Sequence, residues 1–213
     1  MQRQECMKVK VIIPVFNESG SIGHVIREIP GHLVNEVIVV NNGSTDDTAK
    51  VATMAGATVL TESEKGYGAA CLNGMEYVRS LNADQTPEVI VFMDGDYSDY
   101  PEEIAQLLEP IQNGTHDMVI GSRALGVRER GSMTIQQIFG NWLATSMMRW
   151  FFRAQYSDLG PFRAIRWEAL EKLGMIDRNF GWTVEMQIKA AKQGLRYTEI
   201  PVRYRKRIGK SKV

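Results

Sequence analysis

The sequence has 213 residues, is 44% hydrophobic, and balances 25 Lys plus Arg against 25 Asp plus Glu. That length and composition suit one domain with a full core, and the even charge argues against a dedicated nucleic-acid binder, whose basic footprint shows in the totals. Two cysteines, Cys6 and Cys71, make no disulfide scaffold, and no apolar run approaches the roughly 18 residues of a membrane span. The opening "MQRQECMKVK" lacks the apolar centre of a secretory signal, so a reducing, cytoplasmic setting is expected.

In chain order, apolar β-rich runs alternate with helical patterns. "VKVIIPVF" (9–16) predicts a strand, and Ile22, Val25, Ile26 and Ile29 give 21–29 helical spacing. "EVIVVNN" (36–42) predicts a second strand, and 44–56 a helix with a Ser or Thr cap and a glycine stop. A short strand (57–62), a glycine-opened helix (66–81) and the strand "EVIVFMD" (88–94) follow. Proline at the first position starts a helix over 101–112, and "HDMVIGS" (116–122) predicts another strand. Beyond Arg123 the pattern changes to a Met- and aromatic-rich helix (133–154), "DLGPFRAIRWEAL" (158–170), a helix over 181–194 and a strand-like 195–206. Short apolar strands separated by amphipathic helices predict an α/β fold with a mostly parallel sheet covered on both faces. The chain stops inside the basic run "RYRKRIGKSKV", which leaves room for further C-terminal structure. That run admits two readings, a solvated tail or an anion-binding arm.

In such sheets ligands collect beyond the C-terminal strand ends. Here those ends carry Asn17 and Glu18, Asn41 and Asn42, Asp94 and Asp96, and Ser122 and Arg123. Asp94 and Asp96 lie one residue apart just past a strand, so both point to one side and can hold a divalent cation through hard oxygen ligands. Gly95 removes bulk between them, and Asp99 or Ser98 is placed to add a ligand. Glu102 and Glu103 suit the dipole of the following helix. Asp-x-Asp alone is unspecific. Haloacid-dehalogenase-type phosphatases carry it at the first strand, which here ends in "PVFNE" instead, and that strand lacks both G-x-G-x-x-G and the P-loop.

Taken together, several segments resemble family 2 glycosyltransferases of the GT-A fold. They are "VIIPVFNES", "VIVVNNGSTDDT", "EKGYGAACLNGM" and "VFMDGDYSDYPEEI". "VIGSR", "SDLGPFRAIR" and "RKRIGKSK" are similar to the polyprenyl-phosphate branch, which includes dolichyl-phosphate mannose synthases. The likeness spans about residues 8–212 and implies a single GT-A domain, with a nucleotide-sugar half (8–122) and an acceptor half (123–213).

The resemblance implies a UDP- or GDP-linked sugar donor. Pro14, Phe16, Asn17 and Glu18 would line the nucleoside, Asn42 would stand where the family places a base-reading aspartate, and Lys65, Gly66 and Gly68 would close on the donor. Asp94 and Asp96, with Asp99 as a candidate third ligand, would hold Mg²⁺ or Mn²⁺. Arg123 would bind an acceptor phosphate, Arg207, Lys210 and Lys212 would close over pyrophosphate or acceptor, and Asp158 and Arg163 would either shape the wall between the two or pair with each other. Glu185 falls where other members carry a catalytic acid, and would serve as base if the acceptor were a hydroxyl. The expected reaction is inverting hexose transfer to a polyprenyl or dolichyl phosphate. A soluble or protein acceptor, a nucleotidyltransferase and a non-catalytic nucleotide-sugar-binding module stand as alternatives. Helix 133–154 is expected either in the core or on a membrane face, where Arg149 and Arg153 would meet lipid headgroups.

Overall fold

The structure, a computed structural model, describes residues 7–209. Among these, seven strands form one sheet in the order β3-β2-β1-β4-β6-β5-β7. The strands are β1 (Val9–Val15), β2 (Glu36–Asn41), β3 (Thr58–Thr61), β4 (Val89–Phe92), β5 (Met118–Ser122), β6 (Arg163–Arg166) and β7 (Tyr197–Pro201). The helices are α1 (Ile22–Glu28), α2 (Thr48–Met54), α3 (Tyr67–Arg79), α4 (Ile104–Gln112), α5 (Ile135–Phe152), α6 (Trp167–Leu173) and α7 (Trp182–Lys192). Pro101 opens a single 3₁₀ turn ahead of α4, as its fixed φ and missing N–H favour.

Every residue of β1 is buried, because the strand sits mid-sheet between parallel β2 and β4 with helices on both faces. The period of two sends Val11, Ile13 and Val15 into one core with α1 and α4, and Ile12 into the other with α3 and α7. β6 alone runs against its neighbours, antiparallel to both β4 and β5. Sequence patterning shows no strand there. The reversal has a consequence for the site. The start of β6, at Arg163, pairs with Phe92 and Ile120, so residues 157–163 arrive at the edge where β4 and β5 end.

α5 has a capping box at its start, Thr134 with Gln137, and ends on Arg153 in the left-handed region at φ 52°. Only Thr145 and Met148 on this helix are buried. The expectation of a core helix therefore fails: Ile135, Phe139, Trp142, Leu143, Met147, Trp150 and Phe151 face outward, Trp150 at 82% exposure. Among the described residues no helix is long and apolar enough to cross a membrane.

Candidate active site

A cleft of about 290 Å³ opens beyond the ends of β1, β2 and β4. Pro14, Phe16, Glu18, Asn42, Lys65, Gly66, Asp94, Gly95, Asp96 and Arg207 line it, as do Tyr67 and Phe180, which sequence reasoning did not single out. Asp99, Arg123 and Glu185 are not among its lining residues, and Lys210 and Lys212 lie outside the described residues.

The acidic loop after β4 and the basic segment near the C-terminus are partners, which neither run announces alone. Arg203 pairs with Glu102 at 2.8 Å and Glu103 at 2.6 Å. Arg205 donates to the carbonyls of Tyr97 and Asp99, reaches Glu28 at 3.0 Å, and stacks on the rings of Tyr97 and Tyr100. Arg207 pairs with Asp96. Backbone bonds from Arg205 to Ser98 (3.0 Å) and from Ile208 to Asp96 (2.9 Å) lay the two segments side by side. Arg203 and Arg205 are thus held neither as a solvated tail nor as an arm over the cleft.

The three aspartates differ. Asp94 is half-buried on the cleft wall, and burial together with the Asp96 carboxylate pushes its pKa up to about 7. Asp96 is buried, and its Oδ1 accepts from the Ser98 amide (2.9 Å) and hydroxyl (2.5 Å). Asp99 is buried with neither carboxylate oxygen hydrogen-bonded, and burial plus the charges of Asp94 and Asp96 drive its pKa well above the usual carboxylate value.

Among the described residues no three His, Cys, Asp or Glu side chains stand in ligating geometry, so the structure does not gather Asp99 with Asp94 and Asp96 as a ready three-carboxylate set. The remaining pair fits Mg²⁺ or Mn²⁺, which take one or two carboxylates and fill their other positions with water and phosphate oxygens.

Gly66 lines the cleft, but the missing Cβ of Gly66 and of Gly68 makes room for neighbouring backbone. A Cβ on Gly68 would lie 2.0 Å from the Asp177 carbonyl oxygen, and one on Gly66 2.0 Å from that of Arg178. The amides of Gly68 and Ala69 donate to the carbonyls of Asn179 (3.0 Å) and Arg178 (2.8 Å). The glycines therefore admit the 177–179 backbone, which carries Phe180 to the cleft. Gly95 has a similar role, since a Cβ there would meet Val15 Cγ1 at 2.6 Å.

Asn42 is largely committed to the loop before α3. Its amide NH₂ donates to the carbonyls of Glu62 (3.3 Å) and Glu64 (2.6 Å), and its Oδ1 accepts from the Gly66 amide (2.8 Å). What it retains toward the cleft is acceptor capacity on Oδ1. Asn17, at φ 54°, ties the end of β1 to the 44–45 turn, accepting from the Thr45 amide at 2.7 Å and donating its own to Ser44 Oγ at 2.9 Å.

Arg123 and Asp158 form a buried pair. Asp158 accepts from Arg123 Nε (2.8 Å), Nη2 (2.7 Å) and backbone N (2.7 Å), and the guanidinium packs over Tyr204. Burial opposes charge on Arg123, but the Asp158 carboxylate outweighs it and keeps the guanidinium ionised. Arg163 is not the partner of Asp158. It is fully buried and donates to the carbonyls of Gly160, Leu159 and Thr183. Glu185 is similarly occupied: it accepts from the amides of Ile176 (3.0 Å) and Asp177 (2.8 Å) and pairs with Lys189 at 2.7 Å. Burial would raise its pKa, but these donors hold it below the usual value. Its geometry is that of a clamp on the 175–181 loop, which removes the ground for reading it as a catalytic base.

A second cleft of about 380 Å³ lies under α5, beside Asp158, with Arg128, Trp142 and Arg149 on its walls.

A mostly parallel sheet with a carboxylate pair and a cleft at its strand ends defines an α/β protein with an acidic site at its strand ends. The comparisons with known proteins carry this further. Residues 10–174 match the family described as Glycosyl transferase family 2, and the chain belongs to that family. It is 34% identical to an uncharacterized glycosyltransferase of Mycobacterium tuberculosis, over 96% of this chain and 89% of the relative. It is 28% identical to the undecaprenyl-phosphate mannosyltransferase of Micrococcus luteus, over 97% of this chain and 88% of the relative. The fold is GT-A: glucosyl-3-phosphoglycerate synthase of M. tuberculosis, solved with Mn²⁺, UDP and glucosyl-3-phosphoglycerate, superposes with a TM-score of 0.75 at 21% identity, covering 97% of this chain and 73% of that one. The chain is a glycosyltransferase.

Proposed function

We propose that the protein transfers a hexose from a UDP- or GDP-linked donor to a polyprenyl or dolichyl phosphate, with a divalent cation and inversion at the anomeric carbon. The observation that carries the donor half is the cleft itself, which gathers Asp94, Asp96, Lys65 and Arg207 around one opening. Pro14, Phe16 and Glu18 form the nucleoside wall, and Asn42 Oδ1 accepts from a ring N–H of the base. Asp94 and Asp96 would hold Mg²⁺ or Mn²⁺, and the structural neighbour solved with Mn²⁺ and UDP supports a divalent cation. When bound, the cation would neutralise charge on the departing nucleoside diphosphate. Lys65 and Arg207 bind that diphosphate from the protein side, and Lys210 would extend the same basic segment.

A lipid phosphate is already anionic at neutral pH, so it needs positioning more than deprotonation. Two of the five Arg123 donors are spent on Asp158, and the others would take a phosphate oxygen. That oxygen attacks the anomeric carbon from the face opposite the diphosphate. The new C–O bond forms as the old one breaks, and the diphosphate leaves with the bonding pair. No protein base is required, which agrees with the occupied state of Glu185. The lipid half rests on α5. Its outward Phe139, Trp142, Trp150 and Phe151, with Arg149 and Arg153, have the make-up of a helix lying at a lipid interface. The relation to the Micrococcus luteus enzyme supports the same acceptor class.

The test is transfer from labelled UDP-glucose, UDP-N-acetylglucosamine and GDP-mannose, with Mn²⁺ and undecaprenyl phosphate. Label in the organic phase from one donor is the expected result. Label passing only to a water-soluble acceptor such as 3-phosphoglycerate would overturn the lipid reading.

A further inference from the structure

We propose that Arg207 is a built-in counter-cation for Asp96 in the donor-free protein, displaced from that carboxylate by the divalent cation and then used by the donor's diphosphate. The proposal rests on the donor-site reading given above. Arg203, Arg205 and Arg207 alternate along one segment, yet their settings differ. Arg203 and Arg205 are held by carboxylates, carbonyls and rings away from the cleft. Of the three, only Arg207 lines the cleft.

Its partner is already well supplied. Asp96 Oδ1 accepts both the amide and the hydroxyl of Ser98, and Oδ2 takes Arg207 Nη2. A divalent cation on Oδ2 would meet a guanidinium on the same oxygen, and like charges at that range repel. Meanwhile Arg207 Nε is buried without a hydrogen-bond partner. A buried donor in that state is satisfied by an incoming anion. The diphosphate supplies that anion, so the cation and the nucleotide each remove the obstacle to the other. Metal alone should bind weakly, metal with nucleotide strongly, and the coupling should pass through Arg207.

Isothermal titration calorimetry of wild type and Arg207→Gln tests this with Mn²⁺ alone and with UDP and GDP in saturating Mn²⁺. Removing the guanidinium should tighten binding of Mn²⁺ alone by about fivefold or more, the lower end of ordinary coupling between sites. It should weaken nucleotide binding in Mn²⁺ by about tenfold, the loss of one charge-assisted contact. If Arg207 stayed on Asp96 throughout, the diphosphate would not use it and nucleotide binding in Mn²⁺ would not weaken; that result, or Mn²⁺ binding that is unchanged or weaker in the variant, overturns the proposal while leaving the donor site standing. If wild type binds neither nucleotide in Mn²⁺, the donor reading falls and this inference with it. Circular dichroism and thermal melting check the fold. Should Arg207→Gln fail to fold, Arg207→Lys carries the same test, with both shifts expected in the same directions and smaller.

Discussion

Replacing Gly68 by alanine adds one methyl group at the point where α3 meets the 177–179 loop. The Cβ would stand 2.0 Å from the Asp177 carbonyl oxygen and 2.8 Å from the Arg178 carbonyl carbon, and both are backbone atoms that cannot rotate aside. The loop must move, which breaks the bonds from Gly68 to Asn179 (3.0 Å) and from Ala69 to Arg178 (2.8 Å). Two such bonds are worth roughly 1 kcal/mol each, and overpacking adds about 1–3 kcal/mol, so the expected loss is about 3–5 kcal/mol. For a domain of this size that lowers Tm by roughly 6–20 °C. Gly140→Ala is the matched control, since its added Cβ meets nothing within 4 Å on exposed α5. There the same change should stabilise by roughly 0.5–1 kcal/mol through helix propensity. Urea denaturation of both variants, with nucleotide titration of the Gly68 variant, reads the outcome. Because the loop also carries Phe180 to the cleft, nucleotide affinity should fall as well. If Gly68→Ala is as stable as Gly140→Ala, the close approach of loop and helix is wrong.

Asp158→Ala should cost about 3–5 kcal/mol in denaturant titration, because it leaves the Arg123 guanidinium buried without its carboxylate. A loss below about 1 kcal/mol would mean the pair is solvated. Asp94 keeps its proton to about 7 in the metal-free fold, against a reference value of 3.8. Between those values the folded state binds the extra proton, so this group's contribution to stability falls as pH rises through the window and levels off above it. Asp94→Asn lacks that slope, so its stability should gain on wild type from about pH 4.5 to about pH 7.5, as urea midpoints at the two pH values would show. Changing Trp142, Trp150 and Phe151 together to serine should leave Tm nearly unchanged, since all three are exposed, and should abolish sedimentation with anionic vesicles. Retained vesicle binding would remove α5 as the lipid-facing element.

The strands and helices before Arg123 are legible because each is a short apolar run or amphipathic period bounded by local stop signals. The acid pair after β4 is legible for the same reason, as it follows a buried run directly. β6 is hidden because Gly160 and Pro161 precede it and both its end residues are arginines, so the run carries no apolar alternation. The partners of Glu102, Glu103 and Asp96 lie about a hundred residues away in sequence, and no local pattern links them. The same distance hides the purpose of Gly66 and Gly68. "GYG" at a helix start reads as a ligand loop until the 177–179 backbone is seen against it. The case of α5 is different. Its apolar mass is plain in the sequence, but burial depends on whether another element covers it, and composition does not carry that information.

The central claim is that Asp94 and Asp96 form a metal-assisted nucleotide-sugar site, and calorimetric titration with UDP and GDP, with and without Mn²⁺, on wild type and Asp94→Asn, tests it most directly. The account predicts that one nucleotide binds wild type in Mn²⁺, that omission of Mn²⁺ weakens it, and that the isosteric Asp94→Asn loses the Mn²⁺-dependent part while keeping its fold. Nucleotide binding that is indifferent to Mn²⁺ and to Asp94→Asn would contradict it.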